Sequence, residues 1–155
     1  MSLNSDFCFT GPYTHSLDDK GRLALPSNLR EELGRSERPD LLMARAYDDG
    51  FLTLYPYEGW RNLVCEIEGA IPDTTRRNAA LRAFSAQVRP LNLDKAGRVL
   101  ISQEQRAAAR LNREVLILGV GSKIEIWDPA IHKQQKESQD KAVLDEIIQT
   151  QGLHF

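Results

Sequence analysis

The sequence predicts an α+β fold in which two copies of one small module build a closed β-barrel about a pseudo-twofold axis. The first observation is a repeat: residues 17–30 return 76 positions later as residues 93–106, with leucine, aspartate, glycine and both arginines in place. The second observation is that matching segments continue along the chain. They are residues 40–46 with 114–120 and residues 52–55 with 124–127, at offsets of 74 and 72. A module of about 45 residues rarely buries enough apolar surface to fold alone, so we expect the copies to share one core and pair their strand edges.

Each module is predicted to run strand, turn, strand, short helix and hairpin. We predict strands at residues 13–18 and 22–25, joined by a turn in which aspartate and glycine take the backbone angles of a tight connection. Pro26 and Ser27 open a helix that ends at Gly34, with Ser27 able to cap it.

A hairpin completes the module. Strands at residues 41–46 and 51–55 flank residues 47–50, where an Asp-Gly pair lies between apolar runs, which is a strong hairpin signal. The second copy repeats this order with a tighter hairpin at Gly121 and Ser122.

Helices are predicted between the modules and at the end of the chain. Pro56 opens a helix with apolar residues at helical spacing as far as Ile67, and Asp73 or Thr74 caps the next helix. The predicted units are module 1 at residues 12–58, a helical linker at 59–87, module 2 at 88–131, and a C-terminal helix and tail at 132–155.

The last helix is predicted to carry an apolar stripe. It begins after Asp128 and Pro129, and Leu144, Ile147 and Ile148 recur on one face at helical spacing. We interpret this stripe as internal packing or a subunit contact rather than a binding groove.

Composition indicates a soluble globular protein, with 41% hydrophobic and 27% charged residues among 155. No apolar run approaches the ~20 residues of a membrane span, and the N-terminus lacks the basic-then-apolar pattern of a secretion signal. We therefore expect a cytoplasmic protein with no membrane partner. Cys8 and Cys65 are isolated from each other, which predicts two reduced thiols that could be buried.

The charge is unevenly distributed although the net charge is only −2. Residues 36–74 hold three arginines against eight acids, whereas residues 75–115 hold nine basic residues against three acids. This asymmetry can create a basic face on an acidic protein. Alternatively, Arg76, Arg77 and Arg82 serve only a solvated helix.

Two loops carry the candidate chemistry: loop 1, residues 18–22, and loop 2, residues 94–98. Each begins with an aspartate and ends with an arginine. Across a tight turn, the Asp18 carboxylate can hold the Arg22 guanidinium by a charge-assisted hydrogen bond and aim its remaining donors outward. An arginine held in this way can reach a guanine edge or clamp a phosphate, which predicts contact with double-stranded DNA.

The other loop residues fit the same task, because the glycines allow close backbone approach and the lysines add charge for phosphates. The predicted DNA-binding residues are Lys20, Arg22, Lys95 and Arg98, and the predicted loop-orienting residues are Asp18, Gly21, Asp94 and Gly97. Ala96 stands where loop 1 has Lys20, so loop 2 is predicted to hold DNA less well.

An alternative role exists for each arginine pair. The aspartate–arginine pairs of the loops can be structural salt bridges that lock the turns, and this role is compatible with DNA contact. Arg30 and Arg106 recur eight residues after the loop arginines. We interpret these two as structural, for example through pairing with an acid, rather than as DNA contacts.

Enzyme chemistry is not predicted, and neither is a metal or a cofactor. His15, His132 and His154 have no metal-ligand spacing with one another or with cysteine. His15 and Ser16 are adjacent, but adjacency alone does not create the geometry of a nucleophilic triad. Residues 119–121 are more simply a hairpin than a glycine-rich phosphate loop.

Four segments resemble the MraZ family of transcriptional regulators. They are His-Ser-Leu-Asp-Asp-Lys-Gly-Arg-Leu-Ala-Leu-Pro at residues 15–26, Leu-Asp-Lys-Ala-Gly-Arg-Val-Leu-Ile at 93–101, Gly-Val-Gly-Ser-Lys-Ile-Glu-Ile-Trp-Asp at 119–128, and Arg82-x-Phe84-Ser85. The resemblance covers residues 7–135 in the same order, and its loop motif carries over to Asp18, Lys20 and Arg22 and to Asp94 and Arg98.

The resemblance implies tandem SpoVT-AbrB-type modules in a swapped-hairpin barrel, and subunits assembled into a ring as a homo-oligomer. It implies binding to direct repeats upstream of the protein's own gene and of a division and cell-wall gene cluster. It also implies repression of that cluster and a nucleoid-associated location. The alternative is an antitoxin-like module that binds a protein partner on the same barrel.

The chain departs from the family pattern at three places. The first ten residues are longer and more polar than the usual start. Ser102 stands where proline is common and Gln105 where an apolar residue is common, so a weaker second short helix is expected.

Overall fold

The structure, a computed structural model, describes residues 7–47 and 50–155 and has the predicted α+β class. The strands are β1 (Tyr13–Ser16), β2 (Arg22–Ala24), β3 (Leu41–Tyr47), β4 (Phe51–Pro56), β5 (Val88–Asn92), β6 (Arg98–Leu100), β7 (Glu114–Val120) and β8 (Lys123–Trp127). The helices are α1 (Ser27–Leu33), α2 (Tyr57–Ala70), α3 (Thr74–Ala86), α4 (Gln103–Ala108), α5 (Pro129–His132) and α6 (Ser138–Gln151), with a π-helical turn at Lys133–Glu137.

The strands of the two modules are interleaved. One antiparallel sheet has the order β1-β7-β8-β4-β3-β5, and β2 pairs with β6 in a second, two-stranded sheet. The counterparts in the two modules are β1 and β5, β2 and β6, β3 and β7, and β4 and β8. Exchanging each strand for its counterpart gives the same order read from the opposite end, so the pairing has two-fold symmetry. The described order ends at β1 and β5, and the closed swapped-hairpin barrel stays a prediction.

The core is shared by both modules, as the size of each predicts. Its fully buried side chains include Leu23, Leu52, Leu54, Val99, Val115, Ile117, Ile124 and Ile126. Burying one such side chain contributes about 1.5–3 kcal/mol. Each of them lies on a strand that pairs with a strand of the other module. Strand pairs and core both cross between the modules. The module bounds 12–58 and 88–131 therefore stay predictions, and they describe sequence repeats rather than separately folded domains.

The two hairpins differ in their turns. The strands β3 and β4 pair as far as Tyr47 with Phe51, and the predicted turn residues Asp48 and Asp49 lie outside the described residues. The tighter second hairpin is confirmed, because Val120 pairs with Lys123 around the two-residue connection.

The short helices begin differently from the prediction. Pro26 is the N-cap of α1 and makes no side-chain cap, while Ser27 is already the first helical residue, so the prediction that Ser27 caps is wrong. In α4, Ser102 Oγ accepts from the Gln105 amide at 3.1 Å, and Gln105 Oε1 accepts from the Ser102 amide at 3.0 Å. Ser102 and Gln105, the two residues that depart from the family pattern, therefore form a capping box. This capping box supports the start of α4, the helix that was expected to be weaker.

The longer helices lie outside the core. Asp73 caps α3, since its carboxylate accepts from the Arg76 amide at 2.8 Å. The C-terminal α6 has no buried residue, so the apolar stripe of this helix is not internal packing. Among the described residues, no helix is long and apolar enough to cross a membrane.

The segment before β1 joins the core, which its polar composition does not predict. Phe7 and Phe9 are buried, with ring centroids 5.8 Å apart, and the Phe9 amide donates to the Gly121 carbonyl at 2.8 Å. The backbone of Phe9 crosses Gly119 so closely that a Cβ on this glycine would lie 2.3 Å from the Phe9 carbonyl carbon. Cys8 lies between the two phenylalanines and points outward, so it is exposed, as is Cys65; burial of these thiols is wrong.

Candidate nucleic-acid interface

Loop 1 is built around the Asp18 carboxylate. One oxygen, Oδ1, accepts from the backbone amides of Lys20 and Arg22, each at 2.9 Å. The other, Oδ2, accepts from Arg22 Nε at 2.6 Å. The turn closes through the Gly21 amide, which donates to the Asp18 carbonyl at 3.0 Å, and Gly21 has a positive φ of 83°. Together these bonds close the turn and hold the backbone and side chain of Arg22 against Asp18.

Loop 2 has the same geometry 76 residues later. The Asp94 Oδ1 accepts from the amides of Ala96 and Arg98 at 2.9 Å, and Oδ2 accepts from Arg98 Nε at 2.9 Å. Gly97 has a φ of 75°. The replacement of a lysine by Ala96 leaves the bonding unchanged, because the carboxylate contacts only the backbone at this position.

The two-stranded sheet β2–β6 holds the loops in a fixed relation. Arg22 pairs with Leu100, Leu23 with Val99, and Ala24 with Arg98. Directly opposed residues share a face, so both arginines lie on the face opposite the fully buried Leu23 and Val99. The Cα atoms of Arg22 and Arg98 are diagonal neighbours, roughly 8 Å apart from strand geometry.

Both loop arginines keep donors available for a ligand. Each uses Nε for its aspartate, and the side chains are 33% and 35% exposed. Within residues 7–47 and 50–155, the terminal nitrogens Nη1 and Nη2 of Arg22 and Arg98 have no hydrogen-bond partner. Lys20 and Lys95 are exposed beside them. The structure therefore brings together the predicted residues of each loop, and the salt-bridge role and the outward donors coexist.

The bonds to Asp18 lower its pKa. The backbone hydrogen bond from Arg22 is the main cause, the Arg22 side chain and the Lys20 amide add to it, and the pKa falls from 3.8 to about 2 against the opposing effect of desolvation. The backbone hydrogen bond from Arg98 likewise lowers the pKa of Asp94. The carboxylates therefore hold their arginines at neutral pH.

A lowered pKa in the folded state means that this contribution to stability is complete above the unfolded pKa and is lost as pH falls through the folded one. We expect the Asp18 carboxyl carbon to keep its ionised NMR shift at about pH 3, where an ordinary aspartate is mostly protonated. Asp94 is expected to titrate below its ordinary value as well. A midpoint for Asp18 near 3.8 would show that the loop does not hold the carboxylate in solution.

Arg30 and Arg106 have structural contacts, although the partner differs from the expected acid. Arg30 Nε donates to the Leu25 carbonyl at 3.2 Å, and Arg106 Nη1 donates to the Ile101 carbonyl at 2.8 Å. Neither forms an ion pair among the described residues. The recurrence of these arginines indicated a structural role, but their backbone partners depend on tertiary structure and could not be read from the sequence.

Sequence reasoning missed Arg113, which lies beside loop 1. Its Nη1 is 3.5 Å from the Asp19 carboxylate, and both side chains are largely exposed. Arg113 and Arg106 line a cavity of about 240 Å³ next to Gly21. Such an exposed pair contributes little to stability, so the main effect of Arg113 is to add positive charge near the loop.

The arginines of α3 show no arrangement that tests a basic face, and one of them has a structural contact. Arg77 Nη1 donates to the carbonyls of Ile71 and Pro72, both at 3.3 Å, so it closes the turn before its own helix. Arg76 and Arg82 are exposed on a helix with no buried residue. This pattern fits a solvated helix.

The histidine near the loop has a structural contact. His15 Nδ1 donates to the Ala24 carbonyl at 2.8 Å, which ties β1 to β2. His132 packs edge-on against Trp127, with ring centroids 5.3 Å apart. Among the described residues, no three histidine, cysteine or acidic side chains form a group that could hold a metal ion.

A family model and individual relatives both match this chain, and both are named MraZ. The model of the family described as "MraZ protein, putative antitoxin-like" matches residues 8–82 and 86–151. Proteins named transcriptional regulator MraZ are similar over most of their length. The one from Lactiplantibacillus plantarum is 36% identical, covering 91% of this chain and 96% of its own. Those from Thermomicrobium roseum and Heliobacterium modesticaldum are 36% and 38% identical, covering 83% and 77% of this chain and 87% and 80% of their own. These matches, over most of the chain, show that the chain belongs to the MraZ family.

Proposed function

We propose that this chain is a sequence-specific DNA-binding transcriptional regulator. The observation that supports it best is that one arginine arrangement is built twice. In each loop an aspartate takes Nε and leaves the terminal guanidinium nitrogens for a partner. A pre-oriented fork of this kind suits bidentate contact with guanine or a phosphate. The names of the relatives, all transcriptional regulators, agree with this function.

The β2–β6 sheet is proposed to enter the major groove. This groove is about 12 Å wide and admits a two-stranded ribbon. The outer face of the sheet presents Arg22 and Arg98 together with Ala24 and the 56% exposed Leu100. Lys20 and Lys95 flank this face and would contact phosphates, which position the protein without reading sequence.

A single subunit is not expected to bind tightly, because the chain has a net charge of −2. We propose that subunits form a ring whose loops engage successive direct repeats, so that linked contacts raise the effective concentration. The apolar stripe of α6 has Leu144 and Ile147 exposed, as is the neighbouring Val143, and it is available for such a subunit contact. A closed swapped-hairpin barrel is the proposed scaffold of each subunit.

The regulated genes are proposed from the resemblance. The operator would be direct repeats upstream of the protein's own gene, and the outcome would be repression of a division and cell-wall gene cluster. A regulator of this kind works in the cytoplasm at the nucleoid.

The test is fluorescence anisotropy with a duplex from just upstream of the gene, and with a scrambled duplex of equal length. We expect clear preference for the upstream duplex and a steep fall of affinity with salt, because each neutralised phosphate releases counterions. Equal, weak binding to both duplexes would overturn the proposal and favour an antitoxin-like role. In that case the α6 stripe would be the first surface to test for a protein partner.

A further inference from the structure

Arg30 and Arg106 do not act on the loop of their own module. Arg106 belongs to α4 of module 2, yet its Nη1 lies directly against Gly21 in loop 1. A Cβ built on Gly21 would be 1.6 Å from this nitrogen, and one built on Gly97 would be 2.5 Å from Arg30 Cδ. Both glycines also need a positive φ. The positive φ favours glycine at both positions, and an arginine from the opposite module fills the space that a side chain would otherwise take.

The backbone closes the same contact from a second direction. The Ile101 amide donates to the Gly21 carbonyl at 2.9 Å, while the Ile101 carbonyl accepts from Arg106. The mirror arrangement has the Leu25 amide donating to the Gly97 carbonyl at 3.0 Å, while the Leu25 carbonyl accepts from Arg30. Each loop glycine is thus held between a strand end and a guanidinium, both from the other module.

We propose that Arg106 and Arg30 are positioning residues for the recognition loops, each acting on the loop of the opposite module. This inference rests on the proposed function. The chain of contacts runs from guanidinium to loop glycine, from glycine amide to aspartate carbonyl, and from aspartate carboxylate to the DNA-facing arginine. In this proposal, displacing Gly21 turns Asp18 and misdirects Arg22, and Arg106 acts without contacting a base or a phosphate itself.

Crossed effects on the two loops are the first test, measured by amide hydrogen exchange. The amides of Asp18, Lys20, Gly21 and Arg22 are all hydrogen-bonded within loop 1. In Arg106→Ala we expect these amides to exchange on the order of tenfold faster, while loop 2 is unchanged. In Arg30→Ala we expect the reverse, with loop 2 loosened and loop 1 unchanged. If the Arg106 variant does not fold, the Arg30 variant tests the same proposal.

A matched control removes an arginine of equal charge that contacts neither loop. Arg82→Ala serves, because Arg82 is exposed on α3, and it is expected to leave both loops unchanged. Equal acceleration of both loops in Arg106→Ala would indicate general destabilisation and would overturn the proposal. Unchanged exchange in both loops would also overturn it.

Salt dependence separates positioning from direct phosphate contact. We expect Arg106→Ala to weaken operator binding roughly tenfold without changing the slope of log affinity against log salt. A residue that contacts a phosphate would instead lower that slope by about 1, and this result with unchanged loop exchange would overturn the proposal. If the parent protein shows no operator preference, the proposed function fails, while the exchange experiment still decides whether the arginines position the loops.

Discussion

Replacing both Arg22 and Arg98 by alanine is expected to remove the preference for the operator duplex while the fold is retained. Each arginine that reads a base should contribute about 1–3 kcal/mol of discrimination, which is roughly 5–150-fold in affinity. The loops should survive the change, because the aspartate carboxylates also accept from backbone amides that remain. Partly exposed ion pairs of this kind contribute little to global stability.

The measurement is anisotropy with the operator and scrambled duplexes, together with thermal unfolding of each variant. Arg76→Ala combined with Arg82→Ala is the matched control, since it removes the same charge from exposed positions on α3. This control should weaken binding to both duplexes slightly and by the same factor. Operator affinity equal to that of the parent, in a folded Arg22 and Arg98 double variant, would exclude these residues as the interface.

Replacing Gly119 by alanine is expected to destabilise the protein by about 3 kcal/mol or more. The added Cβ would lie 2.3 Å from the carbonyl carbon and oxygen of Phe9 and 2.4 Å from the amide nitrogen of Thr10. These are backbone atoms, so no side-chain rotation relieves the contact. The N-terminal segment must move away, and the buried Phe7 and Phe9 leave the core with it.

Chemical denaturation with urea measures this change. Gly69→Ala is the matched control, because Gly69 lies in α2 and a Cβ there would meet nothing within 4 Å. That variant should be stabilised by up to about 1 kcal/mol, since alanine favours a helix over glycine. A Gly119 variant as stable as the parent would show that the segment before β1 does not pack against β7 in solution.

Much of the fold follows from the repeat, because a repeated pattern predicts both elements and symmetry. The loops, their aspartate–arginine pairs and the hairpin at Gly121 were all predictable from local residue types. The capping box of Ser102 and Gln105 was predictable too, because a serine followed three residues later by a glutamine is a known helix start that does not need the proline common in the family.

The rest depends on contacts between distant segments. Nothing near Arg106 in sequence indicates that its guanidinium lies against Gly21, because the contact exists only after β2 and β6 have paired. Gly119 carried a usable signal, since glycine inside a strand often marks close backbone approach. The glycine does not indicate which segment approaches it, because Phe9 and Thr10 are distant from it in sequence.

The interleaved strands also affect how the protein is made. Tyr13 pairs with Ile117, so the ribosome adds roughly 100 residues between the partners, which takes about 5–20 s at ordinary rates of elongation. During that interval the first module has unpaired strand edges, and loop 1 lacks both Ile101 and Arg106. A chain that ends prematurely therefore carries the first arginine without its support. If the proposed function holds, we expect incomplete products not to compete for the operator, so that operator binding would require completed synthesis.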